Sequence, residues 1–259
     1  MKRSTQIFFY IIAGITFVAL LLVSHVARRN APIKGVDVTL NYQSGDTMVL
    51  PRQVEAWIVK QMPTLLGCPV KEVDMSAVEQ VLQLNPWLST SRINISVGGY
   101  IRVQASQRVP VLHLFYQGNE FFLDDAGAYL PLCGQGGSNV MVGNGFFNVA
   151  LPKTLDSLNL SQMDKARNFR LKEMWTVAVY LQQHPDYGVL FDQIFMEENG
   201  DLRLVPKVGN HTVLLGDATK LDDKFHDLLA FYREGCSKVG WNTYKQISVK
   251  YRHQVIGSR

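Results

Sequence analysis

Six histidines and three cysteines carry most of the chemistry this sequence could offer, and none is spaced for it. His25, His113, His184, His211, His226 and His253 are scattered. None has a second His three or four residues away, the spacing that sets two imidazoles on one helical face toward a metal. They are expected at surfaces or interfaces. Cys68, Cys133 and Cys236 lie far apart in the chain, so no Cys-x-x-Cys metal or redox pair exists. Any two could pair, leaving one thiol over; the expected state is three small buried side chains. Asp124-Asp125 could be pictured as acid and base. Neighbours on a strand point to opposite faces, however, and Asp124-Asp125-Ala126-Gly127 fits a turn better.

Other signatures are missing. "CGQGGSNV" at 133–140 is Gly-rich but lacks the Gly-Lys-Ser/Thr that completes a phosphate cradle. There is no Gly-x-Ser-x-Gly elbow and no His-Glu-x-x-His pair. Asn-x-Ser/Thr triplets at Asn94, Asn159 and Asn210 are common by chance and carry no weight. The sequence therefore predicts no catalytic residue, no metal ligand, no cofactor and no small-molecule substrate. A net charge of +4 over 259 residues makes no dense basic stripe, so nucleic acid is not an expected partner. Function is left to surfaces, and to the elements that present them.

The first such element is apolar. Residues 7–23, "IFFYIIAGITFVALLLV", carry no charge, and 24–27 extend the run to about the 20 residues that cross a hydrocarbon core. Lys2 and Arg3 precede it; Arg28 and Arg29 follow. The run is longer than a signal-peptide core of about 7–15 residues, and His25-Val26-Ala27 is a poor cleavage site. An uncleaved transmembrane helix over 7–27 is expected, with 1–6 as a short cytoplasmic tail and the folded bulk outside, which in a bacterium means the periplasm.

Behind it, 33–42 alternates through Val36, Val38 and Leu40 as a half-buried strand. A helix opens at Pro51, with Val54, Trp57, Ile58 and Gln61 on one face. A second is capped by Asp74, or by Ser76 with Glu79, and carries Met75, Val78, Val81 and Leu82. "RINISV" and "YIRVQAS" around Gly98-Gly99 predict a hairpin with Ile93, Ile95 and Val97 facing one way. Pro110 cannot give a ladder hydrogen bond, so "ASQRVPVLHLF" reads as a seam: one sheet ends before the proline and another begins after it. Further on, strands flank the turns at 124–127 and Asn199-Gly200. Helices are expected over 163–183, and over 220–236 with Phe225, Leu228, Leu229 and Tyr232 on one face. Residues 244–256 are expected as one closing strand alternating Ile247, Val249 and Tyr251.

Several placed motifs together resemble the FtsQ/DivIB family of bacterial cell-division proteins: "NPWL" at 85–88, "IRVQASQRVP" at 101–110, "FFLDDAGAYL" at 121–130, "VLLGDATKLDDKF" at 213–225 and "ISVKYRHQVI" at 247–256. Gln107 stands where the family usually has Glu, and the terminal segment keeps the basic-aromatic pair Lys250-Tyr251 without the usual acid. The resemblance implies an α+β protein: a transmembrane helix, a POTRA domain (βααββ) over 33–106, and a larger, mostly antiparallel β-sheet domain with helices over 107–259. It implies a non-enzymatic scaffold of the divisome in the cell inner membrane, single-pass and enriched at the septum. FtsB/FtsL-like single-pass partners would join by β-strand addition at the terminal strand, through Ile247, Val249, Lys250, Tyr251, Arg252, His253 and Gln254. Other septal proteins would bind the POTRA domain and anchor. Ile247, Val249 and Tyr251 could instead simply pack the sheet. A POTRA domain would also suit an envelope-assembly or export chaperone binding extended client polypeptides, which is the alternative reading.

Overall fold

The computed structural model describes residues 2–42, 47–132, 140–147 and 169–259. The chain divides into two compact units, 1–107 and 108–259. It is α+β, with an apolar leading helix and a large mixed sheet carrying helices.

In the first unit, α1 (Lys2–Asn30) is 29 residues long, about 43 Å at 1.5 Å per residue. Its stretch Ile12–Asn30 is long and apolar enough to cross a membrane, the one such helix among the described residues. Inside that stretch, Thr16 Oγ1 donates back to the Ile12 carbonyl at 2.5 Å, so the hydroxyl is satisfied without water. The rest of the unit runs β1 (Gly35–Asn41), α2 (Pro51–Gln61), a 3₁₀ turn (Val70–Glu72), α3 (Met75–Gln83), β2 (Leu88–Ile95) and β3 (Tyr100–Gln107). The sheet order is β1-β3-β2, with β1 parallel and β2 antiparallel to the central β3.

Local chemistry explains the helix boundaries. Pro51 starts α2 where its missing N–H costs nothing, and the Leu50 N–H donates to Gln53 Oε1 at 2.7 Å. Of the two expected caps for α3, Asp74 is the one used: Oδ1 accepts from the Ser76 and Ala77 N–H groups. Val54, Ile58, Val78 and Leu82 on the helices and Ile101 and Val103 on the sheet are fully buried, each contributing about 1.5–3 kcal/mol. Trp57 Nε1 donates to the Val81 carbonyl and bridges α2 to α3. Val97 departs from expectation. β2 ends at Ile95, and Val97 stands 75% exposed in the turn before β3.

Gln107 closes this unit. It is buried, and its Oε1 accepts from the backbone N–H groups of both Met48 (2.8 Å) and Val49 (3.0 Å). A neutral amide oxygen does this without the desolvation cost that a buried carboxylate would carry.

The second unit begins at the proline. β4 (Pro110–Tyr116) has Pro110 as its first residue, beside a bulge, where a strand tolerates the missing donor. There follow β5 (Asn119–Asp124), β6 (Tyr129–Pro131), β7 (Met141–Gly145), α4 (Phe169–Gln183), α5 (Pro185–Gly188), β8 (Phe191–Met196), β9 (Leu202–Pro206), β10 (Thr212–Gly216) and α6 (Leu221–Phe231). α6 runs on through a π-helical turn (Tyr232–Cys236) and Ser237–Val239 before β11 (Gln246–Ser248) and β12 (Ile256–Ser258). Among the described residues these make one sheet, ordered β12-β11-β10-β9-β8-β7-β4-β5-β6. The pairs β4–β7, β7–β8 and β10–β11 are parallel and the other five antiparallel, so the sheet is mixed. One core joins Leu112, Leu114, Ile194, Leu204, Val213 and Ile247 of the strands to Leu171, Met174 and Val177 of α4 and Phe225 and Leu228 of α6. Gly143 permits that contact: a Cβ there would sit about 3 Å from Leu112, Leu114 and Met174.

Asp124 is fully buried in the turn expected of it. Arg108 Nη1 donates to Oδ2 at 2.7 Å, the N–H groups of Ala126 and Ala128 donate to Oδ1, and Trp175 Nε1 donates to its backbone carbonyl. Its acceptors are thus consumed by structure. Cys236 is buried and Cys68 half-buried, both as free thiols. Cys133 with most of the Gly-rich cluster, the Asn159 triplet, and the first residues of the helix expected from 163 lie outside the described residues.

Replacing Gln107 with Leu leaves two buried N–H groups without their acceptor, at about 1–3 kcal/mol each. The Gln107→Leu variant should show an unfolding midpoint lowered accordingly in urea, while Gln107→Glu, which keeps an acceptor, should lose less.

Candidate functional site

The terminal segment expected as one strand over 244–256 is two short strands and a turn. β11 pairs parallel to β10 through Thr212↔Gln246, Val213↔Ile247 and Leu214↔Ser248, and β12 folds back antiparallel onto β11. The cause lies in 249–255. The Val249 N–H still donates to the Leu214 carbonyl, but the chain then turns, with the Gln254 N–H on the Tyr251 carbonyl and His253 at φ +54. Ile247 and Val249 point into the core, and their side chains are inaccessible. Lys250, Tyr251, Arg252, His253 and Gln254 lie together in the turn and are exposed. The alternation that predicted a continuous strand holds as far as Val249 and fails at Tyr251, which is 56% exposed.

The turn is held from one side. Lys250 Nζ donates to Asp201 Oδ2 at 2.8 Å, and this hydrogen bond pushes the ammonium pKa up. Asp201 is itself fixed by Asn199, whose amide donates to Oδ2 and whose Oδ1 accepts the Asp201 N–H. The Lys250 stem lies across Gly216, where a Cβ would come within 2.8 Å of its Cγ. The hairpin turn between β8 and β9 therefore anchors the far end of the sheet. Beside it, Arg203 on β9 binds Glu197, Thr212 Oγ1 and Gln246 Oε1, tying β9, β10 and β11 across one face.

The corner "GDATK" sets the angle at which α6 leaves β10. Lys220 takes φ +50 just before the helix. Lys224 Nζ donates to both the Asp217 carbonyl and Oδ1, and Thr219 donates to the same carboxylate oxygen. Burial works against the charged carboxylate, but the bonds from Lys224 and Thr219 outweigh it and bring its pKa down to about 2.

Two residues of this region escaped the sequence reading. Gly257 in β12 sits against the Tyr244 ring, and a Cβ there would come within 2.5 Å of Cδ1. His211, expected at a surface or interface, is buried within its own unit: Nε2 lies 2.8 Å from the Tyr232 hydroxyl, and Nδ1 faces the Trp241 carbonyl without a well-formed hydrogen bond. Burial lowers the imidazole pKa, with the Trp241 carbonyl opposing it, and burial pushes the neighbouring Tyr232 and Cys236 up. The signal for His211 was its place just before an apolar strand; Gly257, between Ile256 and Ser258, gave no signal of its contact with Tyr244.

What the second unit presents at this end is a sheet edge. β12 is the outermost strand, with Ile256 46% exposed, next to a turn carrying Tyr251, Lys250 and Arg252. Among the described residues no group of three or more His, Cys, Asp and Glu is placed to hold a metal ion. The chain is thus an α+β protein with an apolar leading helix, a small three-stranded unit and a large mixed sheet. The chain belongs to the FtsQ/DivIB family, since the family model described as FtsQ/DivIB, C-terminal related, matches residues 109–258. A search of curated proteins finds no match. The family is one of non-enzymatic division proteins, which supports a role in cell division, and with the apolar helix it fits a single-pass membrane protein.

Two outcomes follow. Gly257→Val should displace Tyr244 or detach β12, seen as faster amide exchange at 246–248 with the rest of the sheet protected. For His211, the native state binds its proton less readily than the unfolded chain, so its contribution is complete above about pH 6.5 and declines as pH falls below it. Urea midpoints should drop between about pH 7 and about pH 5, and His211→Gln should flatten that drop.

Proposed function

We propose that this protein is a membrane-anchored scaffold of the bacterial division complex that receives a strand of a small FtsB/FtsL-like partner at β12. The family match over 109–258 supports a division role, and the exposed edge of β12 is the observation that carries the mode of binding. An outer strand offers unpaired N–H and C=O groups to an extended segment. Tyr251 supplies an exposed aromatic anchor, and Arg252 and Lys250 suit an acidic partner segment. Ile247 and Val249 act from beneath, by holding β11 in place, rather than by touching the partner.

The proposed division of labour is a cytoplasmic tail over 1–6, a span over 7–27, a POTRA domain over 33–106 and a β domain over 107–259. The βααββ order and the central β3 of the first unit support the POTRA reading. The bulk then lies in the periplasm, anchored in the inner membrane and enriched at the septum.

Deleting 256–259 removes β12 and exposes β11. Copurification of the small partner with the truncated chain should be lost, while the remaining fold keeps its far-UV circular dichroism. Undiminished copurification would overturn the edge. Depletion should give filaments without septa; accumulation of unfolded outer-membrane proteins would favour the export-chaperone reading instead.

A further inference from the structure

The first unit carries a feature that partner binding at β12 does not use. The charge-free run 7–23 of α1 covers about 26 Å, close to the thickness of a hydrocarbon core. With 7–23 as the hydrocarbon-crossing run, Arg28 lies five residues, about 7 Å, beyond its end, within reach of lipid headgroups. The helix does not then lead into a free linker. The Ile33 N–H donates to the Cys68 carbonyl, Gly67 to Ile33, Val70 to Ala31 and Lys34 to Gly99, at 2.8–3.0 Å. Gly99, at φ +82, packs so closely that a Cβ would touch the Pro32 carbonyl at 3.0 Å. The foot of α1 is thus clamped between the 67–70 loop and the β2–β3 turn.

At that clamp lies a small cleft of about 110 Å³, lined by Arg28, Val70, Ile95, Ser96, Val97 and Gly99. Val97, which lines it, is 75% exposed, and in the flanking segments Tyr100, next to Gly99, is 45% exposed and Leu66, next to Gly67, 44%. Of the cations, Arg28 lines the cleft, while Arg29, Lys34 and Lys71 are exposed in the segments next to it in the chain, Lys71 with Glu72 at 3.9 Å. Apolar and aromatic tips among cations, at headgroup depth, match a bilayer surface better than a water-facing one.

We propose that this cleft binds the headgroup of an anionic phospholipid, with Arg28 on the phosphate and Val97 and Tyr100 at the acyl boundary, seating the unit on the bilayer. The proposal rests on reading α1 as a membrane span. A guanidinium suits a phosphate through its planar, forked donors.

The test uses the full chain with its native cysteines replaced, in nanodiscs of phosphatidylcholine with or without phosphatidylglycerol. A spin label is placed at Val97→Cys or, as a control, at Leu20→Cys. The Leu20 label should be accessible to oxygen and shielded from aqueous reagents in both lipids. The Val97 label should move to the interface when phosphatidylglycerol is present, and Arg28→Glu should reduce copurifying phosphatidylglycerol roughly tenfold. A water-exposed Leu20 label would overturn the span reading itself. A lipid-facing Leu20 with Val97 aqueous in both lipids overturns the headgroup site alone. So does a Val97 label at the interface in both lipids and indifferent to Arg28→Glu. Inorganic phosphate that displaces the lipid would reassign the cleft to a free anion.

Discussion

The second unit depends on one buried carboxylate. Asp124 is hidden from water at the end of β5, and a charge there is tolerable only because every acceptor is taken. Arg108 neutralises it from the segment before β4, the Ala126 and Ala128 N–H groups shape the turn into β6, and the Trp175 indole binds the same residue's carbonyl from α4. A single residue thereby sets where the sheet begins, how its outer hairpin turns and where α4 rests. The first unit has a neutral counterpart in Gln107, whose amide oxygen holds the 48–49 loop to β3. Two adjacent residues, Gln107 and Arg108, thus finish one sheet and start the other.

Much of this was legible in the sequence because the deciding signals are local. Pro51 and Asp74 placed helix starts by backbone chemistry, Asn199-Gly200 placed a hairpin, and Pro110 marked the start of β4. What escaped reading depends on contacts distant in sequence. The terminal segment breaks after Val249 in a turn with His253 at φ +54, held in place by Lys250 meeting Asp201, 49 residues away, and period-two alternation has no means of sensing that contact. His211 is buried because Tyr232 and Trp241 close over it from the helical side. Asp124 could be read as a turn residue from its neighbours, but its ion pair with Arg108 could not.

The candidate edge is built by the same logic of distant support. β11 joins the sheet in parallel to β10, so it needs the whole of α6 as a crossover. The corner that starts α6 is secured by Lys224 on Asp217, and the strand that follows is backed by Ile247 and Val249 in the core. The exposed residues Tyr251 and Arg252 ride on a platform whose position is set by residues that no partner would touch.

The shortness of β12 has a consequence of its own. Three residues supply only a few ladder hydrogen bonds, so any chain that pairs there, a second copy or a partner, must draw most of its hold from side chains around the strand. Exposed Arg252 beside the strand adds like charge against a second copy, whereas Lys250 is already paired with Asp201. A surface open to a strand is usually a risk of self-association, and a three-residue edge limits that risk.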